Sequence, residues 1–121
     1  MEDSPASKVY HSIKHVASIL EESESTLRHW EKEFPDKISP RRKGRNVRVY
    51  SEKDIENLRS IKYLLRDCNL SHEGARKQLK TNNKKVTRQA QIVENLKQIK
   101  AELEALEKTL DEVGKMMPKR S

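Results

Sequence analysis

With 121 residues, 37% of them charged and only 33% hydrophobic, the chain has material for one small domain and an extension, and little for a large independent core. Its net charge of +7, sequence pI near 9.6 and mean hydropathy of -1.00 favour an anionic partner, and the absence of any apolar run near ~18 residues excludes a membrane-spanning helix. The single cysteine, Cys68, excludes an internal disulfide and fits a reducing compartment, and the N-terminus M-E-D-S-P-A-S carries no signal core, so the expected location is the cytoplasm.

Met1 to Ser7 reads as a polar tail, and Lys8, Val9 and Tyr10 lead into the first element. Ile13, Val16, Ala17 and Leu20 recur at helical spacing behind a capping Ser12. Glu21 and Glu22 interrupt the apolar pattern, Ser23 offers a second cap, and Leu27 and Trp30 define a new inward stripe. Two short helices about a tight polar turn are the signature of a helix-turn-helix, although a generic helical hairpin shares the periodicity. On the second helix Ser25, Thr26, Arg28, His29 and Lys32 are left on the outer sides, where such groups suit phosphate oxygens and base edges; Lys14 joins them from the first helix.

Phe34 adds an apolar anchor and Pro35 ends the helical segment. Between Arg41 and Arg48 five of eight residues are basic (Arg41, Arg42, Lys43, Arg45, Arg48), and no acidic residue stands between Asp36 and Glu52. Gly44 and Asn46 tolerate positive φ, and Val47, Val49 and Tyr50 have strand preference, so a short β-hairpin with a basic tip is expected. The competing reading is a solvated basic loop. Its position directly after the helical pair favours a wing that reaches the DNA backbone. Ser51 and Asp54 then set a capping-box start for a third helix, with Ile55, Leu58, Ile61, Leu64 and Leu65 running to about Asp67. Asn69 suits a left-handed cap, and Ser71, Ala75 and Leu79 mark a short fourth helix.

Four stretches, Y-H-S-I-K-H-V-A, S-T-L-R-H-W-E-K-E-F-P, G-R-N-V-R-V-Y-S-E-K-D-I and L-S-H-E-G-A-R-K-Q-L, stand in an order and spacing that resembles the MerR family of bacterial transcription regulators from Tyr10 to Lys80. The resemblance implies a winged helix-turn-helix that binds a palindromic promoter as a homodimer and distorts the duplex, with RNA polymerase at the promoter as a further partner and the bacterial nucleoid as its location. Carried over by position, Thr26, Arg28 and His29 match recognition-helix contacts, and Arg48 with Tyr50 matches the wing's Arg-x-Tyr element. Two departures stand out: His29 sits where members usually carry an aromatic, and Glu21 lies near a turn position that is often glycine. Glu21, Glu22 and Glu24 also crowd the start of the second helix and would repel phosphate there.

From Asn83 onward Ile92, Leu96, Ile99, Leu103, Leu106, Leu110, Val113 and Met117 alternate spacings of four and three, a heptad seam. A helix from Lys84 to Met117 would be on the order of 50 Å long. The competing reading, a helix packed on its own domain, fits such a narrow stripe poorly. Residues 84–100 hold five basic side chains against one acidic, and 101–112 one basic against five acidic, so antiparallel self-pairing sets unlike halves together. The expected architecture is therefore mainly α: a tail at 1–7, a winged helix-turn-helix of four helices and a small hairpin wing at 8–82, and a helix at 83–117 forming an antiparallel coiled-coil dimer, with a tail at 118–121.

No nucleophile motif, glycine-rich phosphate loop or acid/base pair points to catalysis. Cys68 stands alone and His11 with His15 lacks a third ligand, so no metal and no cofactor is expected. After Met117 only P-K-R-S remains, and no effector domain is expected. The leading expectation is a homodimeric, sequence-specific regulator that binds double-stranded DNA and no membrane. An excisionase-like or architectural DNA-bending protein is the alternative, and a coiled-coil adaptor with an incidental basic patch is a third.

Overall fold

A computed structural model describes residues 9–44 and 47–118. Its elements run β1 (Tyr10–Ser12), α1 (Ile13–Leu20), α2 (Glu24–Glu33), β2 (Arg41–Lys43), β3 (Val47–Ser51), α3 (Glu52–Lys62), a π-helical continuation (Tyr63–Asp67), α4 (His72–Thr81) and the long α5 (Asn83–Met116). The expected four helices, wing and long helix are all present. The expected third helix does reach Asp67, but its last turn widens, with the Cys68 amide donating five residues back to the Tyr63 carbonyl at 3.0 Å.

Each helix start has a local cause. Ser12, Ser23, Ser51 and Ser71 have extended backbones, and each hydroxyl accepts from the third residue onward, at His15, Thr26, Asp54 and Gly74. Ser51 and Asp54 close the full capping box, and the Asp54 carboxylate also accepts the Ser39 amide at 3.1 Å, which fixes the approach to the wing against the start of α3. Asn57 adds a second tie by donating to the Lys37 carbonyl at 2.6 Å.

The core is a single cluster: Val16 and Leu20 from α1, Leu27 and Trp30 from α2, Phe34, Ile38, Tyr50, Ile55, Leu58, Ile61 and Leu64, closed by Ala75 and Leu79 of α4 and Val86 of α5. The helical members from α1 to α4 are the inward stripes read from periodicity, and Ile38, Tyr50 and Val86 join them here. The sheet has the order β1-β3-β2, both pairs antiparallel, with His11 opposite Tyr50 and Arg42 opposite Arg48. The outer strand β1 is an addition to the expected hairpin. Three residues are too few to show alternation, and its partner lies some forty positions away in the sequence.

Only the start of α5 packs on the domain, through the buried Val86 and Ala90 and through Lys97, whose ammonium meets Asp67 at 3.0 Å. Beyond it the helix projects with its heptad residues uncovered. Among the described residues no helix is long and apolar enough to cross a membrane.

Candidate nucleic-acid interface

Helix α2 is seated by Leu27 and Trp30, and Phe34 follows at its end, all buried. Anchoring these fixes the opposite face, where Ser25, Arg28, His29 and Lys32 are exposed and, at spacings of three and four, form one stripe. Thr26 is half-buried and its hydroxyl oxygen accepts from Ser23 at 2.8 Å, so it belongs to the cap as well as to the edge of that stripe. Ser25, Thr26 and His29 line an open groove with Arg66, Leu70 and His72, the two imidazoles meeting edge to face at 5.4 Å. The positive end of the α2 dipole opens toward the same groove.

The wing is β2 and β3. Arg41 and Arg42 are exposed on β2, and Arg41 lies 5.8 Å over the Tyr10 ring. Gly44 turns the chain at φ +66, a conformation that suits glycine. Lys43 holds a β2 position opposite Val47, and Arg45 lies outside the described residues. Lys14 is exposed on α1.

Arg48 and Tyr50 sit two apart on β3 and both turn to α2. Arg48 Nη1 donates to both carboxylate oxygens of Glu31 at 3.1 Å, and the Tyr50 hydroxyl donates to Glu31 Oε1 at 2.9 Å. Tyr50, which the resemblance matches to the wing's Arg-x-Tyr element, is wholly buried. Burial and the adjacent Glu31 carboxylate push its phenol up from 10.0 to about 12. Arg48 keeps a third of its side chain exposed beside this carboxylate. The arrangement couples the angle of the wing to the recognition helix through one acidic side chain.

Glu31 was not legible as a positioning residue, and two other carboxylates share its role. Glu33, two residues on, holds Arg76 of α4 at 3.3 Å, while Arg76 covers the Phe34 ring at 5.9 Å. The run W-E-K-E-F-P thus supplies two core aromatics and two carboxylates, one reaching the wing and one reaching α4. Glu22, read from sequence as repelling phosphate, is only a tenth exposed, held by Arg66 at 2.9 Å with Lys62 at 4.0 Å. Lys62 also donates to the Leu20 carbonyl at the end of α1, where a cation suits the helix dipole. Glu24 faces Arg28 at 3.8 Å, and Glu21 is exposed with a left-handed backbone, φ 56. One of the three acidic groups at the start of α2 is therefore structural. The signal that could have found these contacts is the excess of carboxylates on a helix otherwise suited to phosphate.

His11 and His15 stack at 5.0 Å, and His11 Nε2 meets Glu52 at 2.6 Å. Among the described residues no group of three His, Cys, Asp or Glu side chains is placed to hold a metal ion.

A family model described as MerR HTH family regulatory protein matches residues 11–82. The chain belongs to the MerR family. The matched span takes in the helix pair, the wing, α3 and α4, and membership places the chain among helix-turn-helix regulatory proteins that bind DNA. A regulator protein, TubY, of Clostridium botulinum C phage is 39% identical over 67 residues, covering 55% of this chain and 28% of that protein. The chain therefore spans under a third of the length of this relative. No solved structure matches significantly.

Proposed function

We propose that this MerR-family chain is a homodimeric transcription regulator, with residues 8–82 reading double-stranded DNA and residues 83–117 pairing the subunits. The observation that carries the reading is the combination of one basic outer face with one uncovered apolar seam. Ile92, Leu96, Ile99, Leu103, Leu106, Leu110 and Val113 are 45–61% exposed in a chain whose other large apolar side chains are mostly buried. A second copy covers such a seam.

In this reading Arg28, His29 and Lys32 face base edges and phosphates in the major groove, with Ser25 and Thr26 at the helix start. Arg41, Arg42, Lys43, Arg45 and Arg48 meet backbone phosphates from the wing, and Lys14 adds one from α1. Tyr50 acts indirectly, by holding Glu31 and through it the wing. Two-fold pairing places two recognition helices on dyad-related half-sites, so the target is palindromic. Distorting a promoter between those half-sites would make the contact with RNA polymerase productive, a form of indirect readout. Selection of bound duplexes from a random pool tests this. A dyad-symmetric consensus is expected; recovery of unrelated sequences, or of a single asymmetric half-site, would overturn the dimeric reader.

A further inference from the structure

We infer that Lys100 and Glu107 are the ionic pair that sets antiparallel self-recognition along α5, each Lys100 meeting the partner's Glu107. This rests on the homodimer proposed above. Lys100 follows Ile99 and Glu107 follows Leu106, so the two flank the same edge of the apolar seam, seven residues or two turns apart. Both are exposed, and neither has an ionic or hydrogen-bonding side-chain partner among the described residues of its own chain. Lys97 and Glu102 differ in this: Lys97 is engaged by Asp67, and Glu102 accepts from Gln98 at 3.5 Å.

The opposite edge of the seam carries Asn95, Glu102, Thr109 and Met116, a single charge, while the Lys100 edge is completed by Val93 and Gly114. Interhelical ion pairs form along these flanking edges, so the seam offers one pair of unlike charges and no other. In an antiparallel dimer like edges face each other across a dyad. A dyad near Leu103, midway between the two charges and close to the middle of the seam from Ile92 to Val113, brings each Lys100 to the partner's Glu107. The contact then occurs twice. In a parallel dimer an edge residue faces the opposite edge of its partner, five positions further on, which sets Glu102 against the partner's Glu107. The native charges therefore favour one orientation and oppose the other.

Sedimentation equilibrium at low salt tests the pair, using Lys100→Glu and Glu107→Lys separately and then mixed. Each variant alone turns both attractions into repulsions and should self-associate roughly tenfold more weakly than the native chain. Mixed in equal amounts, the two should associate as tightly as the native chain, because every contact across the heterodimer again joins unlike charges. If Glu107→Lys self-associates as tightly as the native chain or more so, the helices pair in parallel and the inference falls. A native dimer whose mixed variants are not rescued overturns the pair but leaves the homodimer standing. A native chain that is monomeric at all concentrations overturns both.

Discussion

Removing the Glu31 carboxylate should release the wing from the recognition helix. In Glu31→Ala the Tyr50 hydroxyl, in a fully buried side chain, loses its acceptor, which costs about 1–3 kcal/mol for an unsatisfied buried donor. Arg48 loses a contact at 3.1 Å that is a third exposed, worth at most about 1 kcal/mol after solvent screening. Together the expected loss is roughly 1–4 kcal/mol, a large part of the stability of so small a domain. Tyr50→Phe alone should cost about 1 kcal/mol, since Glu31 keeps Arg48. In the Glu31→Ala background the same change removes the orphaned hydroxyl and should be neutral or stabilising. Urea unfolding of the four chains at pH 7 and fixed chain concentration measures the coupling, expected at about 1–3 kcal/mol. Additive effects, or a Glu31→Ala loss below about 0.5 kcal/mol, would refute the view that one carboxylate joins the two elements.

Three further outcomes follow from particular groups. Glu21→Gly should raise stability by about 0.5–1 kcal/mol in thermal or urea unfolding, because a left-handed φ of 56 strains glutamate and suits glycine. Tyr50 has a folded-state pKa raised from 10.0 to about 12, so its contribution is complete below pH 10 and lost as pH climbs toward 12; the stability difference between the native chain and Tyr50→Phe should shrink over that window. Arg28 is exposed and among the described residues pairs only with Glu24, at 3.8 Å, so Arg28→Ala should leave unfolding unchanged while weakening DNA binding and lowering the salt slope by about 1 in a titration followed by fluorescence anisotropy.

The helices were legible because their boundaries are local. Serine caps, the Ser51 and Asp54 box and the left-handed Asn69 all act within four residues, and the apolar periods name the core faces directly. What stayed hidden depends on contacts between distant positions. Strand β1 exists because β3 offers an edge, and its three residues carry no pattern of their own. Glu31 and Glu33 looked like charges on a helix surface and Glu22 like a turn residue, and only the fold shows Arg48, Arg76 and Arg66 waiting for them. Tyr50 shows the same limit from the other side: alternation along Val47 to Tyr50 sets Arg48 and Tyr50 on one face, but whether that face meets solvent or α2 is decided by the tertiary structure. The exposed stripe on α2 was readable, since Leu27 and Trp30 fix what remains outside.

The central claim is that two of these heads, held by paired α5 helices, read one symmetric DNA site. Hydroxyl-radical footprinting of the full chain on a duplex carrying its selected consensus tests it most directly. Two protected patches related by a dyad are predicted, appearing together as protein is added and fading together as salt is raised. Protection of one half-site alone, or protection unchanged by salt, would contradict the account.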